Sequence, residues 1–180
     1  MLIISILVKR VADQEDVVTD NNDKPGHLAR RFQQIAVAIF HAEIVAAGHD
    51  LTPVQYAALS TIKTRPGIDQ VTLAGLIAYD RTTITGVVDR LVQKGLLVRQ
   101  ANSRDRRARV LQITDQGQRT LDGIEPAVEA AQRIMLRGLT ADEAEQFMRL
   151  LRKAIDAGND LSRAPLRPPR EAAMDVVETE

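Results

Sequence analysis

The 180-residue chain has no cysteine and no tryptophan, and aromatic side chains make up only 3% of it. Without cysteine there can be no disulfide framework, thiolate zinc site, iron–sulfur cluster or cysteine nucleophile, and the composition fits a reducing cytoplasm. The shortage of rings argues against a base-stacking RNA platform or a sugar-binding surface. No apolar run reaches the roughly 18–20 residues that a membrane-spanning helix needs. The longest, Met1 to Val8, has no basic residue before it and makes a poor signal peptide. Nucleophile-elbow, Walker and dinucleotide-binding glycine patterns are all missing, so neither an enzyme nor a cofactor is expected. The three histidines, His27, His41 and His49, do not share a helix face at i, i+3 or i, i+4 spacing, so no metal site is expected either.

What is present is a one-domain length with 44% apolar residues, enough for a real core. Net charge is zero, yet it is unevenly spread. From Arg81 to Arg109 eight basic residues face two acids, a local charge of +6. Such a basic third on an otherwise acidic body suits a nucleic-acid binder.

Punctuation divides the rest. Residues 1–26 read as an arm, with an apolar start and an Asp-rich stretch closed by Pro25-Gly26. Leu28, Phe32, Ile35 and Ile39 follow at helical spacing, predicting a helix over about 27–48. Thr52, Pro53 and Gln55 form a capping box for a helix to about Lys63. Asp69 and Asp80 cap two more, over about 70–77 and 81–94, the latter ending at Gly95. The period then changes to that of strands at Leu96–Gln100 and Val110–Ile113. Thr114 opens a long helix to about Arg137, with Leu121, Ile124, Val128 and Met135 on one stripe and a kink expected at Pro126. Thr140 with Glu143 opens a last helix to about Ala157, carrying Phe147, Leu151 and Ile155. Both stripes are expected to be buried against a second chain, with Leu2–Ile4 and Ile6–Val8 adding to that interface. Residues 161–180, with Pro165, Arg167, Pro168 and Pro169, read as a flexible tail.

Two short helices joined by a tight turn and followed by a hairpin are the order of a winged helix-turn-helix. Its second helix must present short polar side chains opposite its apolar stripe, so that the backbone can approach base edges. Arg81, Thr82, Thr83, Thr85 and Gly86 hold those positions, and Ile84, Val87, Val88 and Leu91 form the stripe. The hairpin tip carries Arg104, Arg106, Arg107 and Arg109, more self-repulsion than a structural turn tolerates, and a narrow minor groove would attract them.

The stretches Leu51-Thr52-Pro53-Val54-Gln55-Tyr56, Asp80 to Leu91 and Ser103 to Gly117 resemble the MarR (multiple antibiotic resistance regulator) transcription factors, over about residues 27–157. The resemblance implies a mainly α fold with a small β-hairpin wing, in a domain over 27–160. A DNA-binding lobe would cover about 51–114, and dimerisation helices about 27–48 and 115–157. It implies a homodimer on a pseudo-palindromic double-stranded operator, acting most often as a repressor. Position by position, Arg107 resembles the family's minor-groove arginine. Asp105 resembles the carboxylate that steadies the wing, and Arg90 the helix arginine that ties to it or to phosphate. Members often sense small aromatic acids, phenols or aryl thioesters, including coenzyme A thioesters. Arg30, Arg31, His41 and Tyr56 would supply the polar groups of such a crevice, and the cysteine-based oxidation sensing of one branch is excluded. The rival readings are a winged-helix protein-interaction module and a DNA binder with no small-molecule effector.

Overall fold

The computed structural model describes residues 21–101 and 109–167. Among these the order is α1 (Pro25–Ala46), α2 (Pro53–Thr64), α3 (Gln70–Leu76), α4 (Arg81–Gln93), β1 (Leu97–Ala101), β2 (Arg109–Ile113), α5 (Asp115–Met135) and α6 (Ala141–Ala157). Short 3-10 turns stand at Asn21–Asp23 and Asn159–Leu161. The chain parts into two units between Ala36 and Val37, inside α1. In the first unit α1 starts at Pro25, two residues earlier than the periodicity suggests, because proline has no amide to leave unpaired in a first helical turn. Leu28 and Ile35 are exposed there.

The second unit holds a single buried cluster. Phe40 and Ile44 come from α1, Leu59 and Ile62 from α2, and Leu73 from α3. Ile84, Val88 and Leu91 come from α4, Leu97 and Leu111 from the hairpin, and Leu121 and Ile124 from α5. The helix starts follow from their caps. Thr52 and Gln55 make both hydrogen bonds of a capping box, as do Thr140 and Glu143. Asp69, Asp80 and Thr114 each accept amide hydrogen bonds at the starts of α3, α4 and α5. Each cap satisfies donors that a helix end otherwise leaves orphaned, worth about 1 kcal/mol apiece.

The two strands pair antiparallel, from Leu97 opposite Ile113 to Ala101 opposite Arg109. The segment before α3 extends this pairing. The Leu111 amide donates to the Ile68 carbonyl at 2.9 Å, and the Gly67 amide donates to the Leu111 carbonyl at 3.2 Å. The α3–α4 turn is closed by Ala78 in the left-handed region, at φ 55. The start of α5 is pressed against the strand entry. A Cβ on Gly117 would lie 2.2 Å from the Leu96 carbonyl oxygen, so only glycine fits.

One expectation is corrected. Leu121, Ile124 and Val128, the stripe expected against a second chain, are buried within this one, at 3%, 0% and 6% exposure. They lie on the N-terminal two-thirds of α5, which completes the lobe's own core. Pro126 lies inside this helix, which spans Asp115–Met135. By contrast, α6 has no buried residue, and its Met148, Leu150 and Ile155 stand 41%, 48% and 58% exposed.

Candidate nucleic-acid interface

The sequence of α4 alternates between two solvents. Ile84, Val87, Val88 and Leu91 face the core at 5% exposure or less. Arg81, Thr82, Thr83, Thr85, Gly86, Asp89 and Arg90 are exposed on the other side. The threonines differ in what they do. Thr83 donates its amide and its hydroxyl to the Asp80 carboxylate, at 2.8 and 2.7 Å, and belongs to the cap. Thr85 donates to the Arg81 carbonyl at 2.9 Å and accepts from the Gln70 amide group at 2.6 Å, which ties α4 to α3. Thr82 and Gly86 lie one turn apart on the exposed face, with Arg90 one turn further. A Cβ added at Gly86 would meet nothing within 4 Å.

Hydrogen bonds from the Thr83 hydroxyl and amide hold the Asp80 carboxyl below the usual carboxylate range, with a smaller contribution from the charge of Arg163. Partial burial pushes Asp69 up, but bonds from Thr72 and Val71 outweigh it and leave that carboxyl lowered as well. Both caps therefore keep their charge to a lower pH than an ordinary aspartate does.

The helix is held to the hairpin by an ion pair, Arg99 to Asp89 at 2.6 Å. Its C-terminal end is held by Lys94, whose ammonium meets the Asp50 carboxylate at 2.8 Å and also the Asp50 carbonyl. Neither tie was foreseen from the sequence. The hairpin tip expected to carry Arg104, Asp105, Arg106 and Arg107 lies outside the described residues. The base of the hairpin is described, with Arg99, Gln100, Ala101 and Arg109 exposed.

The groups expected to hold a small ligand fall in both units. Arg30 and Arg31 are exposed in the first unit, Arg30 donating to Gln34 at 2.9 Å. In the second unit His41 is exposed. Tyr56 is half-buried and packs on Phe40, with ring centroids 5.9 Å apart and planes tilted by 52°. Tyr56 also lines a cleft of about 460 Å³ between α2 and α5, together with Ser60, Lys63, Thr64, Leu121, Asp122 and Glu125. Burial and the nearby Glu125 push its phenol up from the ordinary value. The cation of that cleft is Lys63, paired with Asp122 at 2.8 Å. Sequence reasoning passed over Lys63 because a lysine near a helix end reads as ordinary surface. Among the described residues no cluster of metal-ligating side chains occurs.

A short helix, a tight turn, a second helix with one polar and one buried face, and an antiparallel hairpin behind it make a winged helix-turn-helix. Comparison with known proteins narrows this further. A family model described as the MarR family matches residues 51–108. The HTH-type transcriptional repressor NicR of Pseudomonas putida is 30% identical over 138 residues, 77% of this chain and 86% of that protein. The PcaV transcriptional regulator from Streptomyces coelicolor, crystallised with its natural ligand, superposes with a TM-score of 0.71 at 34% identity. That match covers 79% of this chain and 99% of the other. Bordetella bronchiseptica BpsR, whose DNA binding is regulated by 6-hydroxynicotinic acid, matches with a TM-score of 0.72 at 28% identity, over 78% of this chain and 99% of that one. The chain belongs to the MarR family of transcriptional regulators.

Proposed function

We propose that this regulator is a homodimeric, sequence-specific DNA-binding repressor, released from a roughly palindromic operator by a small aromatic acid or its coenzyme A thioester. The observation that carries the reading is the two-sided character of α4. Its buried side is wholly aliphatic, and its exposed side is small, polar and basic around Gly86, where backbone can come close to base edges. In this reading Arg81 and Thr82 face bases, and Thr85 and Thr83 hold the first turns in shape beside the phosphates. Arg90 meets backbone phosphate, and Arg104, Arg106 and Arg107 of the wing enter the adjacent minor groove, steadied by Asp105.

The dimer is supported by α6, whose Met148, Leu150 and Ile155 expose an apolar face. Burying such side chains fully is worth about 1.5–3 kcal/mol each, which a second copy would supply. The effector reading is supported by the cleft between α2 and α5 and by the acid that regulates BpsR. A ring would rest against Tyr56 and Leu121, and a carboxylate would compete with Asp122 for Lys63. Because Lys63 belongs to α2 and Asp122 to α5, that competition would loosen a tie between the lobe and its long helix. Binding-site selection from random duplex, followed by release with a panel of aromatic acids and their thioesters, tests both halves. Selection that enriches no sequence would refute the first half, and a panel in which nothing releases the selected site would refute the second.

A further inference from the structure

The chain after α6 does not leave the molecule at once. The Asn159 side chain brackets Leu166, accepting its amide at 2.7 Å and donating to its carbonyl at 3.1 Å. The Arg167 amide then donates to the Gly75 carbonyl of α3 at 2.8 Å. The fit is close, since a Cβ on Gly75 would lie 3.2 Å from the Arg167 Cβ. Ala164 and Pro165 are half-buried as a result, while Arg163 and Arg167 stay exposed. Between this segment and the helix-turn-helix lies an open cleft of about 200 Å³, with a floor including Val71, Ala74 and Tyr79. Arg81, Arg163 and Arg167 all line it, against the single acid Asp80. That carboxylate is already engaged by the amide and hydroxyl of Thr83. Three guanidinium groups around one shared acid leave an excess of positive charge that an outside anion would compensate.

We propose that the segment after α6 is a third DNA-contacting element, placing Arg163 and Arg167 beside Arg81 to bind backbone phosphates next to the groove that α4 enters. This rests on the reading of α4 as the groove-entering helix. Duplex backbone is the occupant favoured over a free anion because the cleft is open and continuous with Arg81, at the first position of that helix. Phosphate contacts carry no sequence information, so they should strengthen operator and random duplex alike.

The test measures binding of the full chain to a labelled random-sequence duplex and to the selected operator across a salt series. It compares wild type, Arg163→Ala with Arg167→Ala, and Arg163→Lys with Arg167→Lys. For the alanine pair the expected result is an equal fold-loss on both duplexes and a log–log salt slope shallower by about two, near one per lost phosphate contact. Thermal midpoint should be unchanged, and the lysine pair should bind close to wild type. Unchanged affinity and slope would overturn the proposal, and tighter binding would make the segment an inhibitory cover instead. A lysine pair that fails like the alanine pair, with a lowered midpoint, would make its role packing. Calorimetry showing that inorganic phosphate binds free protein through these arginines would assign the cleft to a free anion and overturn it too. If wild type binds no duplex at any salt, the reading of α4 falls first and takes this proposal with it.

Discussion

Gly86 sits in the middle of α4, where glycine is a poor choice for helix stability. In a helix interior it is about 0.8–1.0 kcal/mol less favourable than alanine, because it loses more backbone freedom on folding. Packing does not demand it, since a built Cβ meets no atom within 4 Å and the residue is exposed. Gly117 provides the contrast, because there the same Cβ would strike the Leu96 carbonyl oxygen at 2.2 Å. Nothing within the described residues calls for the missing side chain at Gly86. In the proposed complex what calls for it is the close approach of α4 to base edges, one turn from both Thr82 and Arg90. Gly86→Ala should accordingly move two measurements in opposite directions. The fold should gain about 0.5–1 kcal/mol, a rise in thermal midpoint of about 1–4 °C for a chain of this size. Operator affinity should fall by about 1–3 kcal/mol, the scale of one spoiled base-pair contact. Scanning calorimetry and fluorescence anisotropy at fixed salt read the two effects. Full affinity in a more stable variant would refute the close approach, and a variant no more stable than wild type would refute the claim that the fold has no use for the glycine.

Gly117→Ala should destabilise by about 1–3 kcal/mol or more, seen as a lowered thermal midpoint, because its Cβ has no room beside Leu96 and Ile113. Leu150→Glu combined with Ile155→Glu should turn a dimer into a monomer in analytical ultracentrifugation and weaken operator binding with it. A dimer that survives would place the interface elsewhere. In calorimetric titration of an acid that releases the operator, Lys63→Ala should weaken binding and Asp122→Asn should tighten it, since the second frees the ammonium. Equal binding by all three proteins would remove this cleft from the effector site. Asp69 and Asp80 have lowered carboxyl pKa values, so the stability they contribute is complete above the unfolded-state value of about 3.9 and is lost as pH falls through their folded values. Asp69→Asn with Asp80→Asn should therefore flatten the fall in thermal midpoint below about pH 4, and an unchanged acid profile would mean that the caps do not set it.

The starts of the helices were legible because capping is local. Thr52 with Gln55, Asp69, Asp80, Thr114, and Thr140 with Glu143 each announce a helix within four residues, and each makes the expected bonds. Gly95, at φ 71, ends α4 for the same local reason. The buried face of α4 followed from its period. What a period cannot give is the identity of the partner. The stripe of Leu121, Ile124 and Val128 says that one face of α5 is buried, and the same pattern would serve a lobe core or a dimer. Ties between elements are hidden for a related reason. Arg99 with Asp89 and Lys63 with Asp122 are ordinary surface charges until the fold brings them together, and no spacing rule links residues 59 apart. The seating of Arg167 on Gly75 is a backbone contact, for which a proline- and arginine-rich stretch gives no signal.

The strengths of these interactions limit how a signal can act. Lys63–Asp122 is an exposed pair, with side chains 41% and 58% accessible, and such pairs contribute about 0–1 kcal/mol. Leu59, Ile62, Leu73, Ile84 and Leu91 are fully buried, and removing any one of them would cost about 2–5 kcal/mol. A coupling between effector and operator typically amounts to about 1–3 kcal/mol. That is enough to displace an exposed ion pair, but too little to unpack the leucine and isoleucine core that holds α2, α4 and the first two-thirds of α5 together. In the proposed dimer, an acid bound beside Tyr56 would therefore leave each lobe intact, the first two-thirds of α5 included, and act only on how the two lobes are spaced. On the proposed reading, release would then come from a mismatch between two intact lobes and one fixed operator spacing, each lobe retaining its sequence-independent attraction to duplex when the operator is lost.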